Sequence, residues 1–239
     1  ANCQIGVSLT IATRTEQLPI DFALYLPRSW ADDESRREEA RIPEDVQFKT
    51  KIELAMDMIN RAVAAAIPKG DVLADSWYGD VAHFRSAIRG HGLNYAVGVS
   101  HNLAVWPAGQ PGRGPKDRTS VAKLAESLPN RKLTWREGTK GKMSSHFAFA
   151  RVVPCHYDGV NPKLREPVWL VAEWENRDLP PTRYYFTSHP ENTSKKELIR
   201  IIKQRWRTEQ VYEELKGELG LDHFEGRRYP GWQHHVSVV

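Results

Sequence analysis

From Ser194 to Gly220 the sequence is compatible with a helix and with little else. Leu198, Ile201, Ile202, Trp206, Leu215 and Leu219 recur at helical spacing and supply apolar faces for docking. Ser194 followed by Glu197 is a capping box that starts such a helix, and Gly220 is suited to the left-handed residue that ends one. The pattern predicts one continuous helix. Arg205, Glu209, Tyr212 and Lys216 fall at i, i+4, i+7 and i+11, which places them in a single polar stripe. Read blandly, such a stripe is a solvated face whose ion pairs contribute a few tenths of a kcal/mol each. Read functionally, it presents an acid between two cations, and the choice depends on the rest of the chain.

The 239 residues, 40% hydrophobic and 27% charged, describe an ordinary globular chain and exclude a disordered one. A formal charge of +4 and a pI near 9.0 favour an anionic partner, with nucleic acid the first candidate. The cations are grouped: Lys195, Lys196, Arg200, Lys203, Arg205 and Arg207 in one cluster, Arg113, Lys116, Arg118, Arg136, Lys140 and Lys142 in another. Cys3 and Cys155 have no zinc or disulfide spacing, and His223, His234 and His235 lack the cysteines or supporting pattern of a structural metal site. No long apolar run or signal peptide is present, so the expectation is a cytoplasmic protein with no membrane partner. The sequence opens on Ala1 with a strand already under way from Gln4, which reads as a fragment.

Taken in order, Gln4 to Ala12 and Phe22 to Pro27 read as paired strands, and Ser29 to Asp45 as an exposed connection with a short helix. Thr50 and Glu53 form a capping box ahead of a helix bearing Ile52, Ala55, Met56, Ile59 and Val63, which stops before Pro68. Val72-Leu73-Ala74-Asp75 is a short strand ending in an acid, at the sheet edge where α/β proteins bind ligands. An Asp there also serves as an N-cap or turn residue. A helix through Phe84 and Ile88 follows, then a strand at Tyr95 to Ser100. After a Pro/Gly-rich loop at Pro107 to Pro115, strands at Lys132 to Arg136 and His146 to Val153 flank a basic hairpin tip, with further strands at Pro167 to Trp174 and Arg183 to Thr187. Trp135, beside basic residues, suits base stacking as well as a core position.

Together, Leu73-Ala-Asp-Ser-Trp-Tyr-Gly, Trp135-Arg-Glu-Gly-Thr-Lys-Gly, Arg205-Trp-Arg-Thr-Glu and Tyr212 through Leu221-Asp-His-Phe-Glu-Gly resemble the bacterial insertion-sequence transposases of the DDE superfamily. The family signature of Tyr, two residues, Arg, three residues, Glu, six residues, Lys is matched by Arg205, Glu209 and Lys216, while Ile202 stands at the tyrosine position.

The resemblance implies an α/β fold, a ribonuclease H-like mixed sheet with flanking helices and a β-rich insertion, here missing the opening central strand. It divides the chain into 1–102 and 182–239 as parts of the catalytic core and 103–181 as the insertion. It makes Asp75 and Glu209 the second and third catalytic acids, ligands of Mg²⁺ or Mn²⁺. The first acid is expected upstream, since Asp21, Asp32 and Asp33 lie in the wrong part of the pattern. DNA contacts are expected from Arg205, Lys216, Tyr212, Trp135, Arg136, Lys140 and Lys142. The implied partners are insertion-sequence ends and target DNA, with a homodimer in a synaptic complex at the bacterial nucleoid. A catalytically inactive DNA-binding remnant and a ribonuclease H-like nuclease are the alternatives.

Overall fold

The computed structural model describes residues 4–13, 15–109, 115–138, 141–155 and 166–239. The chain divides into two compact units, one made of 1–67 with 206–239 and the other of 68–205.

The first unit opens with β1 (Ile5–Ala12) and β2 (Gln17–Tyr25), an antiparallel pair running from Ile5 opposite Tyr25 to Ala12 opposite Gln17, with a bulge after Leu9. The expected exposed connection holds α1 (Arg28–Ala31) and α2 (Glu34–Ala40). α3 (Lys51–Ala64) has the complete predicted box: the Thr50 hydroxyl accepts from the Glu53 N–H, and the Glu53 carboxylate accepts from the Thr50 N–H at 2.7 Å. The Thr50 N–H and hydroxyl, both donating to the Glu53 carboxylate, hold that carboxyl below its ordinary pKa.

In the second unit β3 (Val72–Ala74), α4 (Ser76–Gly79), α5 (Ala82–Gly90), β4 (Tyr95–Val99), β5 (Ala104–Pro107) and β6 (Thr119–Ser120) precede α6 (Val121–Glu126). There follow β7 (Arg131–Gly138), β8 (Gly141–Pro154), β9 (Val168–Trp174), β10 (Arg183–Thr187) and α7 (Lys195–Lys203). The strands form one eight-stranded sheet in the order β3-β4-β10-β9-β8-β5-β6, with β7 paired to the early part of β8. Among the described residues, β3 and β4 are the one parallel pair in this sheet. Every residue of β9 is buried, as its near-continuous apolar run requires of a central strand. α7 closes one face of this sheet, where Ile199, Ile201 and Ile202 pack with Ala96, Phe147 and Val171. The predicted hairpin is present as β7 and β8, and the strands at 72–74, 95–99, 168–174 and 183–187 lie where the sequence puts them.

Beyond α7 the chain returns to the first unit as α8 (Trp206–Gly217) and α9 (Tyr229–Val238). Both pack on the β1–β2 pair. The Tyr212 hydroxyl lies 2.5 Å from Ser8 Oγ, Arg207 donates to Gln17 Oε1, and the Trp232 ring lies beside Gly6. No helix among the described residues is long and apolar enough to cross a membrane. The architecture is mixed α/β, consistent with the ribonuclease H-like sheet expected from the sequence.

One expectation fails here. The stretch 194–220 is two helices, because its apolar residues serve two cores: Leu198, Ile199, Ile201 and Ile202 are buried in the second unit, Val211 and Leu215 in the first. The break falls at Gln204 and Arg205, whose N–H groups turn back to the carbonyls of Ile201 and Ile202. Leu219, expected to dock, is exposed, and Gly220 takes its positive φ of 71° three residues past the helix end. α9 is absent from the sequence reading.

Candidate active site

Asp75 stands at the carboxyl end of β3, where the short parallel pair with β4 stops. The sequence offers two roles for this residue, and one of them is directly visible. Asp75 is the N-cap of α4, and its Oδ1 accepts from the N–H groups of Trp77 at 3.0 Å and Tyr78 at 3.4 Å. The side chain is exposed, and its second oxygen, Oδ2, is not used by the cap. One carboxylate thus orders the turn after β3 and still presents an oxygen outward.

The turn is set by backbone packing. A Cβ at Gly79 would lie 1.8 Å from the Gly98 carbonyl oxygen, and one at Gly98 would lie 3.0 Å from the Ser76 nitrogen and 3.3 Å from the Asp75 carbonyl carbon. α4 therefore rests on β4 with no side chain between them, which only glycine permits. Asp80 continues the fastening, its Oδ1 accepting from Ser100 N–H at 2.8 Å and its other oxygen from the Ser100 hydroxyl. Arg85, 4% exposed, donates to the Gly79 carbonyl from α5. Burial raises the Tyr95 hydroxyl above its ordinary pKa, while the charge of the same Arg85 pulls it back. At the other end of β3, Asp71 Oδ1 lies 3.0 Å from His189 Nε2, and His189 Nδ1 lies 2.8 Å from Thr187 Oγ1.

Gly79→Ala is accordingly expected to destabilise the protein by about 1–3 kcal/mol, as overpacking does, because the methyl meets backbone that cannot swing aside. Chemical denaturation measures this, and a loss below about 0.5 kcal/mol would contradict the close packing described. Of these supports, only Gly98 carried a sequence signal: a lone glycine within a strand marks a close backbone approach. Asp80 and Arg85 carried none.

Glu209 lies in the first turn of α8 and is exposed. Tyr212 and Lys216 follow on the same helix, with the Lys216 ammonium 6.0 Å from the Tyr212 ring. Arg205 precedes the helix, so the predicted stripe of four is a stripe of three on α8 and a residue in the turn ahead of it. Ile202, at the family's tyrosine position, is 4% exposed within the core of the second unit, where a phenol would need a buried partner.

Arg136 and Lys142 are exposed on the β7–β8 hairpin, opposite Met143 and Glu137 respectively. Lys140 lies outside the described residues. Trp135 sits at the bulge in β7 and packs against the core cluster, with the Lys203 ammonium 4.7 Å from its ring centroid. One face of its indole is therefore already occupied, as a core position implies. Lys203 in turn binds Glu173, which is 1% exposed, at 2.5 Å, and Tyr185 donates to the other Glu173 oxygen at 3.3 Å. Burial and that carboxylate together push the Tyr185 hydroxyl far above its ordinary pKa.

A family model described as DDE superfamily endonuclease matches residues 1–142. The chain belongs to that family. The matched span, more than half of the 239 residues, contains β3, Asp75 and the glycine-packed turn, together with Trp135, Arg136, Lys140 and Lys142. Glu209 and α8 lie beyond it. No curated protein matches the chain. Family membership implies endonuclease-type activity on DNA, and such enzymes generally use divalent metals. Carboxylate oxygens at Asp75 and Glu209 are the donors that hard Mg²⁺ or Mn²⁺ prefers. Among the described residues, no group of three or more His, Cys, Asp or Glu side chains is close enough to hold a metal ion.

Proposed function

We propose that this DDE endonuclease is a transposase, and that the chain forms most of the catalytic domain that cleaves and joins DNA strands at insertion-sequence ends. The observation that carries the reading is Asp75. It closes β3 within the matched family span, is fixed from below by the Gly79–Gly98 packing, and keeps an oxygen outside its capping bonds. Asp75 and Glu209 are the residues that hold Mg²⁺ or Mn²⁺. A metal pair supplies stabilisation of the attacking and leaving oxygens in an in-line phosphoryl displacement. Two carboxylates are too few ligands for such a pair, which the family resemblance completes with a third acid.

Around the acids, Arg205 and Lys216 contact phosphates near the scissile bond, and Tyr212 holds α8 to β1 through Ser8. Arg136, Lys140 and Lys142 extend the contact along the β7–β8 hairpin, with Trp135 steadying its base. The DNA is an insertion-sequence end and its target, handled at the bacterial nucleoid by a homodimer in a synaptic complex.

A nicking assay with labelled DNA and Mg²⁺ or Mn²⁺ tests this, using the chain beside a version extended upstream by a strand bearing an Asp. Cleavage by the extended version alone supports the assignment, and Glu209→Gln in that version is expected to abolish cleavage while leaving DNA binding nearly intact. Unchanged cleavage by Glu209→Gln would sink it. The second reading is a DNA-binding remnant without catalysis. If neither version cuts but both bind DNA with strong salt dependence, that reading takes its place.

A further inference from the structure

Four strand spacings from β3, the second unit gathers cations on an aromatic floor. Phe149 and Arg151, two residues apart on β8, share one face of the strand, and Arg151 is paired directly opposite Trp169 on β9. Lys195, which opens α7, places its Nζ 3.5 Å from the Trp169 ring centroid and 5.6 Å from that of Phe149. The Arg151 guanidinium carbon lies 5.2 Å from the same indole. Arg131, exposed at the start of β7, completes the group, since α7 packs on that strand.

These positive charges lie together without close compensation. No Asp or Glu among the described residues lies within ion-pair distance of Arg131, Arg151 or Lys195. Burial first, then Arg131 and Arg151, hold the Lys195 ammonium below its ordinary pKa, while Glu191 acts against them at longer range. Arg151 is held below its ordinary value chiefly by burial, opposed by Glu191 and Glu166. It donates to the carbonyls of His189 at 3.3 Å and Pro167, and its buried Nε has no acceptor among the described residues. Trp169 is itself held, its Nε1 donating to the Pro190 carbonyl at 3.0 Å. Like charges held together against rigid rings, with no carboxylate within ion-pair distance among the described residues, favour an anion with several acceptor oxygens.

We propose that Arg131, Arg151 and Lys195 form a phosphate clamp for a nucleic-acid backbone, distinct from the contacts around Asp75. The inference rests on the reading of DNA as the substrate, and adds a second place where the duplex is gripped. Leu73, Ala96, Thr187, Trp169 and Arg151 stand in one row across the sheet. Four spacings of about 4.8 Å put the clamp roughly 19 Å along the sheet from β3. At about 3.4 Å per base pair, that separates the two contacts by roughly six base pairs. Such a contact positions the duplex without reading its sequence.

Fluorescence anisotropy of a labelled duplex, titrated across a range of NaCl concentrations, tests the clamp in the full chain. In Arg131→Gln/Lys195→Gln the slope of log affinity against log salt is expected to fall by about 1.8, from about 0.9 per lost phosphate contact. Lys195→Arg is expected to keep the original slope. If the double variant binds DNA with an unchanged slope, the clamp is wrong while the DNA reading survives; if the unaltered chain binds no DNA, both fail together. Should the double variant lose its circular dichroism spectrum, Arg131→Gln alone decides, with an expected fall of about 0.9. Polyglutamate serves as a second probe, and loss of its binding in place of DNA binding would assign the cluster to an acidic protein and overturn the inference.

Discussion

Asp75→Asn, in a chain complete enough to cut, is expected to lose metal-dependent DNA cleavage by more than about 100-fold and to unfold at nearly the same denaturant concentration as the unaltered protein. The separation follows from the two jobs of the side chain. Capping of α4 needs a neutral or charged acceptor for the Trp77 and Tyr78 N–H groups, and asparagine caps about as well as aspartate. Holding a divalent cation needs the negative charge. Loss of an outer-shell partner of a metal costs roughly 10- to 100-fold, so loss of a direct ligand belongs above that range. Asp75→Ala removes both functions and is expected to lose about 1 kcal/mol of stability in addition. Cleavage rates with titrated Mn²⁺, measured beside chemical denaturation of all three proteins, distinguish the roles. If Asn and Ala weaken cleavage only as far as they weaken folding, Asp75 is a cap and nothing more.

Lys203→Met is expected to destabilise the core of the second unit by about 3–5 kcal/mol. Glu173 is 1% exposed and its two oxygens are taken by Lys203 and the Tyr185 hydroxyl. Removing the ammonium leaves a buried carboxylate with a phenol as its remaining close partner, which offsets little of its lost hydration. The double variant Glu173→Gln/Lys203→Met removes both charges and retains an acceptor for Tyr185, so it is expected to recover most of the loss. Denaturation of the two single variants and the double variant forms the cycle. A cost below about 1 kcal/mol for Lys203→Met would mean that water reaches Glu173 when the lysine is gone.

Much of the local structure is written in short-range chemistry. The Thr50–Glu53 box, the alternation through β1 and the apolar run of β9 each act over a few residues, so the sequence suffices to read them. Asp75 was legible for the same reason: a strand, an acid and a turn follow one another directly. Its support was not. Gly79 and Gly98 meet across 19 positions, Asp80 reaches Ser100, and Arg85 folds back onto a carbonyl from the next helix. Trp135 shows the same limit from the other side. Its basic neighbours suggest a stacking platform, yet the residue that covers its ring is Lys203, far along the chain.

By itself, the sequence determined the family, the mixed α/β class, the strand that ends in Asp75 and the helical character of 194–217, because periodicity, caps and motif spacing are properties of neighbours. The tertiary structure decided that this last stretch is two helices divided at Gln204–Arg205, that Ile202 belongs to a core, and that Arg131, Arg151 and Lys195 share one aromatic floor. A helix pattern records which residues are apolar, but not which core they enter. Where two units compete for one amphipathic stretch, burial in each outweighs the few hydrogen bonds lost at the break.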